Sequence, residues 1–164
     1  MALDVGANPM SVDAIAAHLE QVYAGQLGRV AVQSADTVVA HCAEQSLRDT
    51  AEHLKNDALT GYGTLTLITA VDLGAQLESV YHLYSWKTNT YLCLHVAVAR
   101  DAAEIDTVCD IWPAADWLER EAWDMMGIRY RRHPDLRRIL LRDDFVGHPL
   151  RKDYVDTAEN HPHV

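Results

Sequence analysis

TLTLITAV (Thr64 to Val71), SVYHLYSW (Ser79 to Trp86) and TYLCLHVAV (Thr90 to Val98) follow one another with only short breaks between them. The first run is β-branched and apolar, the second alternates apolar with polar positions, and the third runs back beside it. Lys87-Thr88-Asn89 joins the last two as a hairpin turn. Three such strands in sequence predict an antiparallel meander.

Upstream, the periodicity changes from two to 3.6. Ser11 is placed to cap a helix in which Ile15, Leu19, Val22 and Tyr23 recur at helical spacing, with Gly28 closing it. A short strand is expected near Thr37 to His41. A second amphipathic helix follows over about Ala43 to Lys55, with Leu47, Ala51 and Leu54 on one face. Downstream, helical spacing is weak from Ala102 to Asp110, clear from Ala114 to Met126, and ended by Gly127. The expected fold is α+β: a small antiparallel sheet with the two N-terminal helices on one face and the other face free to meet a partner. The expected organisation is a globular domain over residues 1–127 and an extended charged segment over 128–164. Pro134, Gly147 and Pro149 interrupt that segment, and the tail from Val155 to Val164 reads as frayed.

The 164 residues suffice for one domain with its own core. No apolar run approaches the ~20 residues of a membrane-spanning helix. Met1 to Met10 lacks the basic start and apolar stretch of a signal peptide, so a cytoplasmic location is expected. Cys42, Cys93 and Cys109 are widely spaced, which argues for reduced thiols and against a cysteine-held cluster or zinc site. The net charge of −10 is uneven. Residues 1–112 hold 5 basic and 14 acidic side chains, and residues 113–164 hold 9 and 10. An acidic body of this kind argues against nucleic acid and anionic lipid as partners.

Between Arg129 and Arg142 stand six arginines: 129, 131, 132, 137, 138 and 142. Glu119, Glu121, Asp124, Asp135, Asp143 and Asp144 flank them, with Leu136, Ile139, Leu140 and Leu141 interleaved. A solvated tail, a phosphate or nucleic-acid site and a protein-docking strip all fit this composition. The interspersed acids weigh against phosphate. The use of arginine at nearly every basic position favours docking, since its planar fork pairs with carboxylates at ordered interfaces. Catalytic patterns are weak. Glu119 and Glu121 diverge on a helix, and Glu121 and Asp124 lie one turn apart. His133 and His148, each followed by proline, match no metal-ligand spacing, and His161-Pro162-His163 reads as an incidental surface feature. No P-loop, GxGxxG or serine-triad order occurs. A free-standing adaptor or small enzyme using Glu121, Asp124 and His133 is the competing class of function.

Glu119-Arg120-Glu121-Ala122-Trp123-Asp124-Met125-Met126-Gly127-Ile128, His133-Pro134-Asp135-Leu136-Arg137-Arg138-Ile139-Leu140 and Gly147-His148-Pro149-Leu150-Arg151-Lys152-Asp153-Tyr154 together resemble one signature. It is that of the thirty-kilodalton-subunit family of complex I, the proton-pumping NADH–quinone oxidoreductase of bacteria. Val80 to Ser85 and Asp110 to Trp117 also resemble its sheet strand and pre-signature loop, so the likeness covers roughly Leu65 to Tyr154. Phe145 stands where the family usually has Trp, and Arg142 where Pro is common. The resemblance implies a non-catalytic subunit of the peripheral arm, on the cytoplasmic side of the cell membrane. Such a subunit binds no cofactor itself; FMN, Fe–S clusters and quinone belong to partner subunits. It implies that the charged extension docks on the large subunit forming the quinone pocket. Glu119, Arg120, Glu121, Asp124, His133, Asp135, Arg137, Arg138, His148, Arg151 and Lys152 would then be docking residues. The same module in membrane-bound energy-converting hydrogenases, formate hydrogenlyase and F420 or plastoquinone relatives is the alternative.

Overall fold

A computed structural model describes residues 10–157 and Asn160. The chain runs α1 (Val12–Val22), β1 (Leu27–Val32), β2 (Thr37–Cys42), α2 (Leu47–Asn56), β3 (Thr64–Asp72), β4 (Gln76–Ser85), β5 (Thr90–Ala99), β6 (Glu104–Asp106), α3 (Ala115–Met126) and β7 (Arg129–Arg131). Ser11 caps α1 as expected, its hydroxyl accepting from the Ala14 amide at 3.2 Å. The α+β class holds, and the three predicted meander strands appear within a few residues of their expected ends.

The five-stranded sheet has the order β1-β2-β5-β4-β3. It is mixed rather than wholly antiparallel, because β2 lies parallel to β5, with Ala40 opposite Leu94. The reason is topological. After β2 the chain crosses on α2 to the far edge, where β3 runs in the same sense as β2. Two hairpins then return it, so β5 arrives parallel beside β2. A second correction concerns residues 102–110, where helical spacing is weak: they contribute β6, paired in parallel with β7. Strand β1, for which the sequence pattern gives no expectation, occupies the edge beside β2.

One sheet face carries the core. Val38, Ala40, Leu77, Tyr81, Leu83, Leu92, Leu94 and Val96 form it, and α1, α2 and α3 all contribute to the same cluster through Ile15, Leu19, Leu47, Leu54, Ala115 and Ala122. The core extends past the boundary drawn at residue 127, since Ile128 and Tyr130 are also buried in it. Tyr130 reaches the sheet, its hydroxyl 2.9 Å from that of Ser79. No helix among the described residues is long and apolar enough to cross a membrane. Cys42 and Cys93 are buried, Cys109 is half-buried, and all three are free thiols. His161-Pro162-His163 lies outside the described residues.

Candidate functional site

Along α3 the buried positions Ala115, Glu119, Ala122 and Met126 form one stripe at spacings of four, three and four, which turns Glu119 inward. Its carboxylate is fully buried. It accepts from the Val108 amide at 2.8 Å, from the Thr107 hydroxyl, and from the Cys109 thiol at 3.5 Å. Burial pushes its pKa up to about 7, against the downward pull of those donors. Burial also raises the Cys109 thiol to about 11, with the nearby Glu119 charge adding to it. The loop that supplies the donors is tied to α2. Arg48 grips Asp110 at 2.8 and 2.6 Å and donates to the Thr107 carbonyl at 2.6 Å, while Lys55 donates to the Ile111 carbonyl.

Asp124 is the second inward acid and is fully buried. One of its oxygens accepts the amides of Ile139, Leu140 and Leu141 at 3.0, 2.8 and 3.0 Å. The other takes Arg138 at 2.6 Å. Burial alone would raise this carboxyl, but the three amides and the guanidinium overcome it and hold the pKa below the usual carboxylate range. Arg138 also donates to the carbonyls of Phe145 and Gly147 at 2.9 and 3.1 Å, and its guanidinium lies over the Trp123 and Phe145 rings. Residues 133–154 are therefore not a loose tail. They form a strap folded back on α3.

The strap also completes the end of α3. An α-helix leaves its last carbonyls without partners, and its C-terminus carries partial negative charge. Here His148 Nδ1 donates to the Asp124 carbonyl at 3.0 Å and the Leu150 amide to that of Met125 at 3.1 Å. Arg151 Nε donates to Met126 at 2.7 Å and its Nη2 to Gly127 at 3.3 Å. Gly127 makes the close approach possible: its φ is +73°, and a Cβ there would stand 2.5 Å from the His148 ring. Further along, the Lys152 amide donates to Asp72 at 2.8 Å, and Arg100 bridges Asp72 to Asp153.

The residues singled out from the sequence thus fall into two groups. Glu119, Arg120, Asp124, His133, Arg138, His148 and Arg151 bond within the chain. Arg120 donates to the Arg137 carbonyl at 3.2 Å and stacks on Trp117. His133 donates from Nε2 to the Asp116 carbonyl at 3.1 Å and accepts the Asp135 amide on Nδ1 at 3.1 Å. Glu121, Asp135, Arg137 and the Lys152 side chain face solvent, Arg137 being 69% exposed against 12% for Arg138. The catalytic combination of Glu121, Asp124 and His133 is not brought together: the first is exposed, and the other two are committed to partners of their own. Ligand atoms of Cys109, Glu119 and His133 do lie within 4.8 Å of one another, but both nitrogens of His133 are already engaged. A cavity of about 500 Å³ opens beside them, lined by Arg48, Cys109, Asp110, Asp116 and Arg132 among others. Sequence reasoning does not find Thr107, Arg48, Asp72 or Arg100. The Val71-Asp72-Leu73-Gly74 turn is the one local signal, and the rest are long-range pairings.

The family model described as respiratory-chain NADH dehydrogenase, 30 Kd subunit, matches residues 40–160. A subunit of the NADH-quinone oxidoreductase of Geotalea uraniireducens is 52% identical over 96 residues, covering 57% of this chain and 58% of that protein. The corresponding subunit of Methylobacillus flagellatus is 37% identical over 147 residues, covering 84% of this chain and 74% of its own. Matches to the Geotalea and Geobacter relatives span about six tenths of their length. Among solved structures, the trypsin-resistant fragment of Nqo5 superposes with a TM-score of 0.63 at 25% identity, covering 74% of this chain and 98% of the fragment. A chain of an archaeal membrane-bound sulfane sulfur reductase shares the fold, with a TM-score of 0.77 at 24% identity over 89% of this chain and 86% of its own. The buried acids, the glycine and the strap that closes the helix all lie inside the matched region, and the chain belongs to the 30 kDa subunit family of respiratory-chain NADH dehydrogenases.

Proposed function

We propose that the chain is a cofactor-free structural subunit of the peripheral arm of a proton-translocating NADH–quinone oxidoreductase, held on the cytoplasmic side of the cell membrane through that complex. Electrons pass from NADH through FMN and Fe–S clusters in other subunits to quinone. This chain holds the large quinone-site subunit in its working shape. One observation carries the reading: the strap satisfies its buried charges internally and turns apolar side chains outward. Leu140, Val146 and Leu150 are each more than half exposed, and Arg137, Arg142 and Lys152 of the same segment are exposed too. Exposed apolar side chains interspersed along the chain with exposed arginines are the composition of a protein interface, not of a solvated tail. Docking is then divided. Asp124, Arg138, His148 and Arg151 set the strap's shape, and the exposed residues make the contact.

The test is purification of the tagged chain from its native membranes in mild detergent. Recovery of a flavin- and cluster-containing assembly with NADH–quinone reductase activity supports the proposal, and Leu140→Asp with Leu150→Asp should abolish that recovery while the isolated chain stays folded. Recovery of a nickel–iron hydrogenase large subunit would place the chain in the hydrogenase branch. The chain alone in the soluble fraction would overturn the reading.

A further inference from the structure

The sheet face opposite the helices carries a cluster that the strap does not touch. His41 on β2 stands opposite His95 on β5, and Glu78 on β4 lies diagonal to His95. The two imidazole rings have their centres 5.0 Å apart, and His95 Nδ1 lies 3.1 Å from a Glu78 oxygen. One ligand atom from each of the three lies within 4.8 Å of the other two. The Glu78 side chain is 12% exposed and that of His95 26%, with His41 the most open of the three.

We propose that His41, His95 and Glu78 bind a divalent d-block cation of the zinc type, through one imidazole nitrogen from each histidine and one carboxylate oxygen, with water completing the coordination. The donor set selects the ion: imidazole suits zinc, copper and nickel, whereas calcium and magnesium call for oxygen alone. The geometry is close to what is needed. Tetrahedral ligands at about 2.0–2.2 Å from an ion stand roughly 3.3–3.5 Å from one another. His95 and Glu78 already meet at 3.1 Å, and side-chain rotation of the open His41 closes the remaining gap. The backbone is fixed by the ladders of three adjacent strands, so the ligands are presented by a rigid support.

The comparison with Cys109, Glu119 and His133 sharpens the assignment. An ion on His133 Nε2 and Glu119 Oε2 would displace the hydrogen bonds of the His133 ring and those from Thr107 and Cys109 to Glu119. On the open face it displaces only the contact between His95 and Glu78, because among the described residues neither nitrogen of His41 is hydrogen-bonded. The position also gives the ion a use. It would join β2 to β5 and β4 across the parallel seam, tying the β1–β2 hairpin to the meander.

The experiment uses the full chain, stripped with a chelator and titrated with Zn²⁺ against a chromophoric competitor, with melting followed in parallel. A single equivalent should bind and raise Tm by roughly 5–10 °C at a hundredfold excess over Kd. His95→Ala, His41→Ala and Glu78→Gln should each weaken binding by about a hundredfold or more, since even a group that only hydrogen-bonds a metal ligand is worth about 10–100-fold. The paired variant His161→Ala/His163→Ala should bind as the parent does. Circular dichroism identifies any variant that has lost its fold, and the remaining two then decide. Absence of saturable binding overturns the site. So does binding that survives in all folded sheet variants, or that vanishes in the tail variant or in Cys109→Ser.

Discussion

Residues 90–98 are fixed by hydrogen-bonded ladders on both sides and an apolar face, whereas residues 139–141 are fixed by three amides converging on one buried carboxylate oxygen. The sheet is redundant: many side chains share the apolar burial, and removing one leaves a cavity but not a collapse. The strap is not redundant. Over residues 138–147 its conformation hangs on Asp124 and Arg138, and each is the other's compensation for leaving water. Two regions of one chain therefore answer mutation differently, with graded losses in the first and all-or-none local unfolding in the second.

The largest effect is expected at the centre of the strap. Asp124→Ala leaves Arg138 and three amides without their anion and should cost about 3–5 kcal/mol. The loss should be local, so limited proteolysis would cut between residues 133 and 154 while far-UV circular dichroism keeps the sheet signal. If the cleavage pattern matches the parent, the carboxylate does not organise the strap, and the contrast drawn above fails.

Glu119, which ties α3 to the loop before it, extends the contrast to a third place through pH. Its folded value of about 7 lies above the ordinary 4.5, so the native state keeps a proton that the unfolded chain releases. The stability this provides is whole below 4.5 and is lost as pH rises through 7, by about 3 kcal/mol. His82 and His148 act in the opposite sense. Burial lowers both, so their contribution is present above the ordinary 6.5 and falls away in acid. The difference between the parent and Glu119→Gln isolates the carboxyl. In urea melts that difference should favour the variant progressively between about pH 5 and about pH 8. A flat difference would mean that Glu119 titrates as an exposed acid does.

These two acids also show what was legible in the sequence and what was not. The meander strands were readable because β-branched and alternating residues fill them without interruption. Strand β1 was not: Leu27-Gly28-Arg29 begins it with a glycine that also reads as a helix stop. The parallel pairing of β2 with β5 is non-local, and a strand's composition does not name its neighbour. At the site, the signature picks out these residues, but the resemblance implies docking for all of them alike and does not separate those that turn inward. The stripe Ala115, Glu119, Ala122, Met126 held the missing information, because a glutamate in register with three apolar residues must turn inward. No comparable signal marks Arg100 or Arg48, whose shortest ion pairs, to Asp72 and Asp110, span 28 and 62 positions of the chain.

A smaller effect is expected where backbone geometry joins the two regions. Gly127→Ala forces a side chain into left-handed backbone and against the His148 ring. The conformational strain is worth about 1–2 kcal/mol, and displacement of His148 and Arg151 from the helix carbonyls adds to it. Melting should show a total loss of about 2–3 kcal/mol, with strap cleavage accelerated. A loss below about 1 kcal/mol would mean that α3 and the strap adjust together, and that the helix end does not depend on the strap.

The smallest folding effect separates two adjacent arginines. Arg137 pairs with Asp135 at 2.8 Å, but both are exposed, and such pairs contribute within about 1 kcal/mol. Arg137→Ala should therefore leave stability in urea within about 0.5 kcal/mol of the parent, while Arg138→Ala destabilises the strap nearly as Asp124→Ala does. Assembly reverses the meaning of the pair. Because among the described residues the Arg137 side chain makes no ion pair beyond that exposed one, any loss of complex recovery in Arg137→Ala reports contact with a partner, whereas the same loss in Arg138→Ala reports a misshapen strap. Equal folding defects in the two variants would erase the division between residues that shape the strap and residues that meet a partner. A normal midpoint with reduced recovery for Arg137→Ala alone would locate the docking surface on the strap's outer side.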